Sequence, residues 1–173
     1  MKKIIILFIL ILYSSNAHSN NIVYLDVQFI IDNSDFGIFY KNKIKKIQEN
    51  NKQILKPSEE QIKKKELEIN NQKNIISKDE IENKIRDLNI LLKNFQVKRK
   101  ELNNVVIDSK KKYTSEILKL LNPLITNYVE KNKILLVIEK KNILVGIKSL
   151  DITPNILKII NEETKKQNLI NEN

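Results

Sequence analysis

The sequence predicts an α+β protein: a small β-sheet head built from both chain ends, with a long inserted antiparallel helical hairpin as a coiled-coil arm. Three observations predict it. Two glycines and three prolines in 173 residues disfavour a loop-rich or many-turned all-β fold. Short β-branched runs stand near both ends, at 22–27 and 134–147. Between them the chain turns rich in lysine, glutamate and asparagine, and isolated isoleucines and leucines recur there at heptad spacing.

The chain opens with Lys2 and Lys3, an unbroken apolar run from Ile4 to Leu12, and small residues ending Ala17-His18-Ser19. A basic start, a short apolar core and small side chains before the cut describe a secretory signal peptide over 1–19, since the run is too short to span a bilayer comfortably. An uncleaved membrane anchor is the rival reading. The mature chain is expected to be exported across a membrane.

Ile22 to Val27 leave almost no polar break and read as a short buried strand. The stretch "DNSDFG", Asp32 to Gly37, reads as a turn. From about Ile38, Leu55, Ile62, Ile69 and Ile76 fall seven residues apart while the partner seam positions Ser58, Lys65 and Gln72 are polar, half a coiled-coil seam. Pro57 predicts a kink, because proline removes a helix hydrogen bond, yet Ser58 and Gln61 can restart the helix at once.

Ser77 and Glu80 form a capping-box pattern, and Ile76 and Ile81 stand at hydrophobic-staple positions, so a second helix starts at Lys78. Its seam runs through Ile81, Ile85, Leu88, Leu92, Phe95, Leu102, Val106, Tyr113 and Leu120, broken by Arg99, Ser109 and Glu116. Pro123 bends or ends it. Ile134–Ile138 and Ile143–Ile147 then read as two strands around a turn at Lys140–Asn142, and Thr153-Pro154 opens a last helix running through Ile160. The expected division is a head of 20–40 with 124–163, an arm of 41–123 and a frayed tail of 164–173. The residues expected to pack the head or join it to other chains are Ile22, Val23, Leu25, Val27, Leu135, Val137, Leu144, Ile147, Leu150 and Ile152. So small a head, without a cysteine for disulfides, calls for association between chains.

The only histidine, His18, and the only methionine, Met1, leave with the signal, and the chain has no cysteine or tryptophan. Imidazole- and thiolate-based catalysis and typical zinc sites are thereby excluded. Asp26, Asp32 and Asp35 read as capping and turn residues in preference to an acid–base or hard-cation site, so no catalytic residue, metal or cofactor is expected.

Charge is unevenly placed. Residues 41–112 hold 20 basic against 11 acidic side chains, a net +9, whereas the whole chain without the two signal lysines nets +8. Lys63, Lys64, Lys65, Lys73, Lys84, Arg86, Lys98, Arg99 and Lys100 make up the basic surface of the arm, which would steer acidic chains or anionic membranes by a field that salt weakens. A bland alternative stays open, in which these lysines only keep a solvated helix soluble. The arm lacks the aromatic interleaving of a single-stranded nucleic-acid groove, and no nucleic-acid partner is expected.

Two stretches, "IVYLDVQFIIDNSDFG" at Ile22–Gly37 and "ILLVIEKKNILVGIKSLDITPNILKIIN" at Ile134–Asn161, resemble the opening strand and turn, and the paired strands and terminal helix, of the OmpH/Skp family of periplasmic chaperones. The resemblance spans the mature chain, the arm matching in length, charge and periodicity. It implies a jellyfish-like homotrimer whose arms enclose a cavity in which unfolded outer-membrane proteins are held without ATP, with anionic lipid or lipopolysaccharide as a further partner. The chain departs in carrying Pro57, Pro123 and only two arginines. Because seam residues pack the hairpin, client contact is expected at the off-seam Ile44, Leu67, Ile75, Ile90 and Leu91. The alternative is an envelope coiled-coil spacer or adaptor that binds an anionic membrane surface or a partner protein.

Overall fold

The computed structural model describes residues 22–170. The expected signal segment, 1–19, lies outside the described residues, as do 171–173. Strand β1 (Ile22–Leu25) leads into a short helix α1 (Val27–Asn33), and two long helices follow, α2 (Asp35–Gln72) and α3 (Lys78–Lys131). Strand β2 (Leu136–Glu139), single 3₁₀ turns at Lys140–Asn142 and Lys148–Leu150, and helix α4 (Thr153–Lys166) complete the order.

The sheet has two parallel strands, β1 paired with β2 from Ile22 opposite Leu136 to Leu25 opposite Glu139. Parallel neighbours need a long crossover, and here the crossover is the whole hairpin. Beneath it, Val23, Leu25, Ile30, Phe36, Ile117, Leu121, Ile152, Ile156 and Ile160 form one buried cluster. Each such aliphatic side chain taken fully from water contributes roughly 1.5–3 kcal/mol. The core thus joins the root of both long helices to the last helix, and the arm grows directly out of it.

Several expectations need correction. The expected turn at Asp32–Gly37 is instead a junction between two helices. Asp26 caps α1 by accepting from the Phe29 N–H at 2.8 Å, and Ser34 ends α1 and caps α2, its Oγ accepting from the Gly37 N–H at 3.0 Å. Asx and Ser residues serve turns and helix starts by the same side-chain bond, so "DNSDFG" was ambiguous. Val27 accordingly sits in the first turn of α1 and not on the strand. Pro123 does not end its helix, which runs on to Lys131, whereas Pro57 lies inside an uninterrupted α2, as the restart pattern at Ser58 and Gln61 leads one to expect.

Ile143–Ile147 forms no strand. Gly146 lies over the Tyr24 ring, where a Cβ would come within 2.9 Å of Tyr24 Cε1, and the Tyr24 hydroxyl donates to the Ile147 carbonyl at 3.3 Å. The segment therefore packs across β1's Tyr24 and gains no ladder, and Leu144 is 98% exposed. The backbone bridge to the sheet is made by Asp151, which pairs as an isolated parallel bridge with Tyr24. At the other end, helix α4 begins with Thr153 as its first helical residue behind an Ile152 N-cap position. The tail does not fray from 164: α4 continues to Lys166, Thr164 is fully buried with its hydroxyl donating to the Ile160 carbonyl at 2.7 Å, and Leu169 packs on the core.

Candidate functional site

The arm is the antiparallel pair α2 and α3. A 38-residue α2 is about 57 Å long at 1.5 Å per residue. Its tip turns at 73–77, where Ser77 and Glu80 complete the reciprocal capping box and start α3. The Glu80 carboxyl is held below its usual range by its hydrogen bonds from Ser77.

The seam follows the heptad reading on α2, polar positions included. Ile62 is buried, and Leu55, Ser58, Lys65, Ile69, Gln72 and Ile76 are all half-buried. On α3, Ile81, Leu88, Leu92, Phe95, Leu102 and Tyr113 are half-buried and Val106 buried, while Ile85 has turned out to 42% exposure. Leu120 is half-buried, and packs on the head core beside Ile117 and Leu121. An α-helix advances 3.6 residues per turn against a 3.5-residue seam, so a long straight reading drifts off the contact face.

Few apolar contacts hold the distal arm, and polar ones supplement them. Asn51 Nδ2 donates to the Leu102 carbonyl at 2.9 Å across the helices. Lys65 pairs with Asp87 at 3.4 Å, and Lys84 pairs with Glu68, whose carboxyl is lowered chiefly by that hydrogen bond. These two lysines, expected on the free basic surface, are thus half-buried cross-links of the arm. Lys98 pairs with Glu101 at 3.5 Å on its own helix, whereas Lys63, Lys64, Lys73, Arg86, Arg99 and Lys100 are exposed.

Of the five side chains expected to meet a client, Leu67, Ile75 and Ile90 are exposed, Ile75 at the tip by 80%. Ile44 and Leu91 are half-buried. Sequence reading missed Ile38, Ile54, Val97, Val105 and Ile107, which also stand exposed along the arm; a helical-wheel plot of residues off the seam would have found them.

In the head, Val23, Leu25 and Ile152 are buried and Val27 and Val137 pack against the core, while Leu150 is half-buried. Ile22, Leu135, Leu144 and Ile147 are not packed within the chain, being at least half exposed. The acids near β1 have separate structural tasks. Asp26 and Asp151 share Lys140 at 3.6 and 3.5 Å, Asp32 accepts from Gln28, and Asp35 pairs with Lys165 at 3.5 Å. Among the described residues no three His, Cys, Asp or Glu side chains gather for a metal.

At the arm's root, Tyr40 and Tyr113 stack at 4.2 Å, 9° from parallel, and the Tyr40 hydroxyl donates to Glu116. Burial first, and then that carboxylate, push the Tyr40 phenol well above its ordinary value. Beside the stack, α1, α2 and α3 enclose a half-open cleft of about 770 Å³.

A family model described as outer membrane protein (OmpH-like) matches residues 21–160. No curated protein matches the sequence significantly. In structure, the chain is similar to a crystal structure from Caulobacter crescentus CB15 described as that of a candidate outer membrane chaperone (OmpH-like), with a TM-score of 0.67 over 83% of this chain and 85% of that one. At 15% identity that likeness establishes a shared fold. No helix among the described residues is long and apolar enough to cross a membrane. The sequence match over 140 consecutive positions, from the residue before β1 into α4, carries the assignment: the chain belongs to the OmpH-like outer membrane protein family.

Proposed function

We propose that the protein is a periplasmic, ATP-independent holdase that captures unfolded outer-membrane proteins between basic helical arms and keeps them from aggregating. The observation that carries this reading is the surface of the arm, where single exposed side chains such as Leu67, Ile75, Ile90 and Val97 are scattered among lysines. Such a surface offers a non-native chain many weak apolar contacts and no shaped pocket, while the charge keeps the empty arm soluble. A thin seam with polar positions also lets the distal arm open at low free-energy cost.

The arms need a frame, and the working unit is a homotrimer joined through the heads. The exposed Leu135, Leu136, Leu144, Val145 and Ile147 support association there, since β2 and the run after it present apolar surface and a strand edge that one chain leaves uncovered.

The test is the mass of the mature protein by light scattering, alone and after a urea-unfolded outer-membrane β-barrel protein is diluted into it. A trimer that becomes a soluble complex with one client supports the proposal. A stable species beside which the client aggregates refutes it. The tip favours one competing reading: exposed Ile75 stands between Lys73 and Lys78, which suits an adaptor resting on an anionic membrane surface or lipopolysaccharide. Under that reading the protein co-sediments with anionic vesicles and leaves the client unprotected.

A further inference from the structure

The cleft at the arm's root differs from the rest of the arm surface. Its floor is apolar, made by Ile31 of α1, Ile44 of α2 and Ile117 of α3, and the half-buried Tyr113 ring closes one side. Its volume of about 770 Å³ falls in the range of roughly 300–1,000 Å³ in which proteins hold small ligands.

The rim is cationic. Lys41 and Lys110 reach it from opposite helices, and neither makes an ion pair among the described residues. Lys45, also on the rim, is engaged with Glu49 at 3.9 Å. The one carboxylate among the lining residues, Asp32, accepts a hydrogen bond from Gln28 at 3.0 Å. Two free ammonium groups over an apolar floor call for a ligand with an apolar body and a single anionic end.

We infer that this cleft binds the carboxyl-terminal end of a polypeptide whose last side chain is apolar, the carboxylate lying between Lys41 and Lys110 and the side chain on Ile31, Ile44 and Ile117. A chain end fits better than a lipid, because the cleft is only half enclosed and its aliphatic lining is limited to Ile31, Ile44 and Ile117. An acyl tail would need a long enclosed channel, whereas the preceding residues of a peptide can leave through the opening. The inference deepens the chaperone reading, on which it rests for the source of such chain ends: the root would anchor one end of a client while the arms contact its length.

The experiment uses the mature full-length protein and a short fluorescein-labelled peptide ending in Leu, as the free acid and as its carboxyl-terminal amide, with binding read by anisotropy. The acid is expected to bind at least ten-fold more tightly than the amide. That preference should be lost in Lys41→Gln/Lys110→Gln, and binding of both peptides should be lost in Ile44→Asp, with circular dichroism and assembly mass unchanged in each. Equal binding of acid and amide, no binding of either, or displacement of the acid by decanoate as readily as by unlabelled peptide overturns the inference. Peptide capture by a protein that fails to protect an unfolded β-barrel client would sink the chaperone reading and leave the cleft assignment standing.

Discussion

Replacing Gly37 by alanine is the sharpest available test of how the head is built. Glycine inside a helix ordinarily costs about 1 kcal/mol relative to alanine, so propensity alone predicts that Gly37→Ala stabilises. The tertiary structure predicts the opposite sign. A Cβ on Gly37 would stand 1.8 Å from the Ile31 carbonyl oxygen and 2.9 Å from its carbon. That atom belongs to the backbone of α1 and cannot swing aside. Restoring an ordinary contact of about 3.4 Å needs a displacement of more than about 1 Å between α1 and the start of α2. Ile30, Ser34 and Phe36 are all buried around that junction, so the shift spreads into the core. Overpacking of this kind costs typically ~1–3 kcal/mol and occasionally more; with a backbone clash the upper end applies, and after the propensity gain the net loss is about 2 kcal/mol. Urea unfolding followed by far-ultraviolet circular dichroism, at one fixed protomer concentration because association adds to apparent stability, measures it. Ser34→Ala, which removes only the cap, should cost about 1 kcal/mol. A Gly37→Ala protein as stable as the parent or more so would refute the close approach of the two helices.

Three further outcomes follow from the same structure. Leu121→Ala removes a fully buried side chain where α3 meets α4 and should cost ~2–5 kcal/mol in the same unfolding assay, whereas Ile90→Ala, exposed on the arm, should change it by less than about 0.5 kcal/mol. Burial would raise the Asp151 carboxyl, but hydrogen bonds from Thr153 and the charge of Lys140 outweigh it and hold the group below its ordinary 3.8. A depressed folded-state value means stability that is present above the unfolded-state value and lost as pH falls through the folded one; Asp151→Asn should therefore be less stable than the parent at pH 7 and converge on it as pH falls below 3.8. At the distal arm, Lys65→Glu with Asp87→Lys should restore most of what Lys65→Glu alone loses in amide-exchange protection at 62–90. The coupling, ~0.2–1 kcal/mol for exposed pairs, should shrink at high salt; a coupling that salt leaves unchanged would show that charge attraction is not its origin.

The arm was legible because its signals are local. The α2 seam from Leu55 to Ile76 and the start of α3 at Ser77 depend on spacing and on contacts within a few residues, and both stand where the sequence places them. The exposure of off-seam side chains was legible to a lesser degree: Leu67, Ile75 and Ile90 are exposed, but Ile44, chosen by the same rule, lines the root cleft. That cleft left a faint trace, the gathering of Tyr40 and Tyr113 near the head. Whether two aromatic residues seventy-three positions apart stack depends on the register of α2 against α3, and a half-polar seam does not settle that register by pattern alone.

The helical hairpin between two chain ends and the concentration of positive charge on it were determined by the sequence by itself, since periodicity, caps and charge act over a few residues. Tertiary structure alone decided that Asp32–Gly37 joins two helices, that Ile143–Ile147 crosses Tyr24 without becoming a strand, that Thr164 is core, and that Lys65 and Lys84 are cross-links. Each of these turns on a partner far away in sequence. A strand is stabilised by the neighbour that completes its ladder, and an isolated apolar run carries no record of which neighbour is in reach.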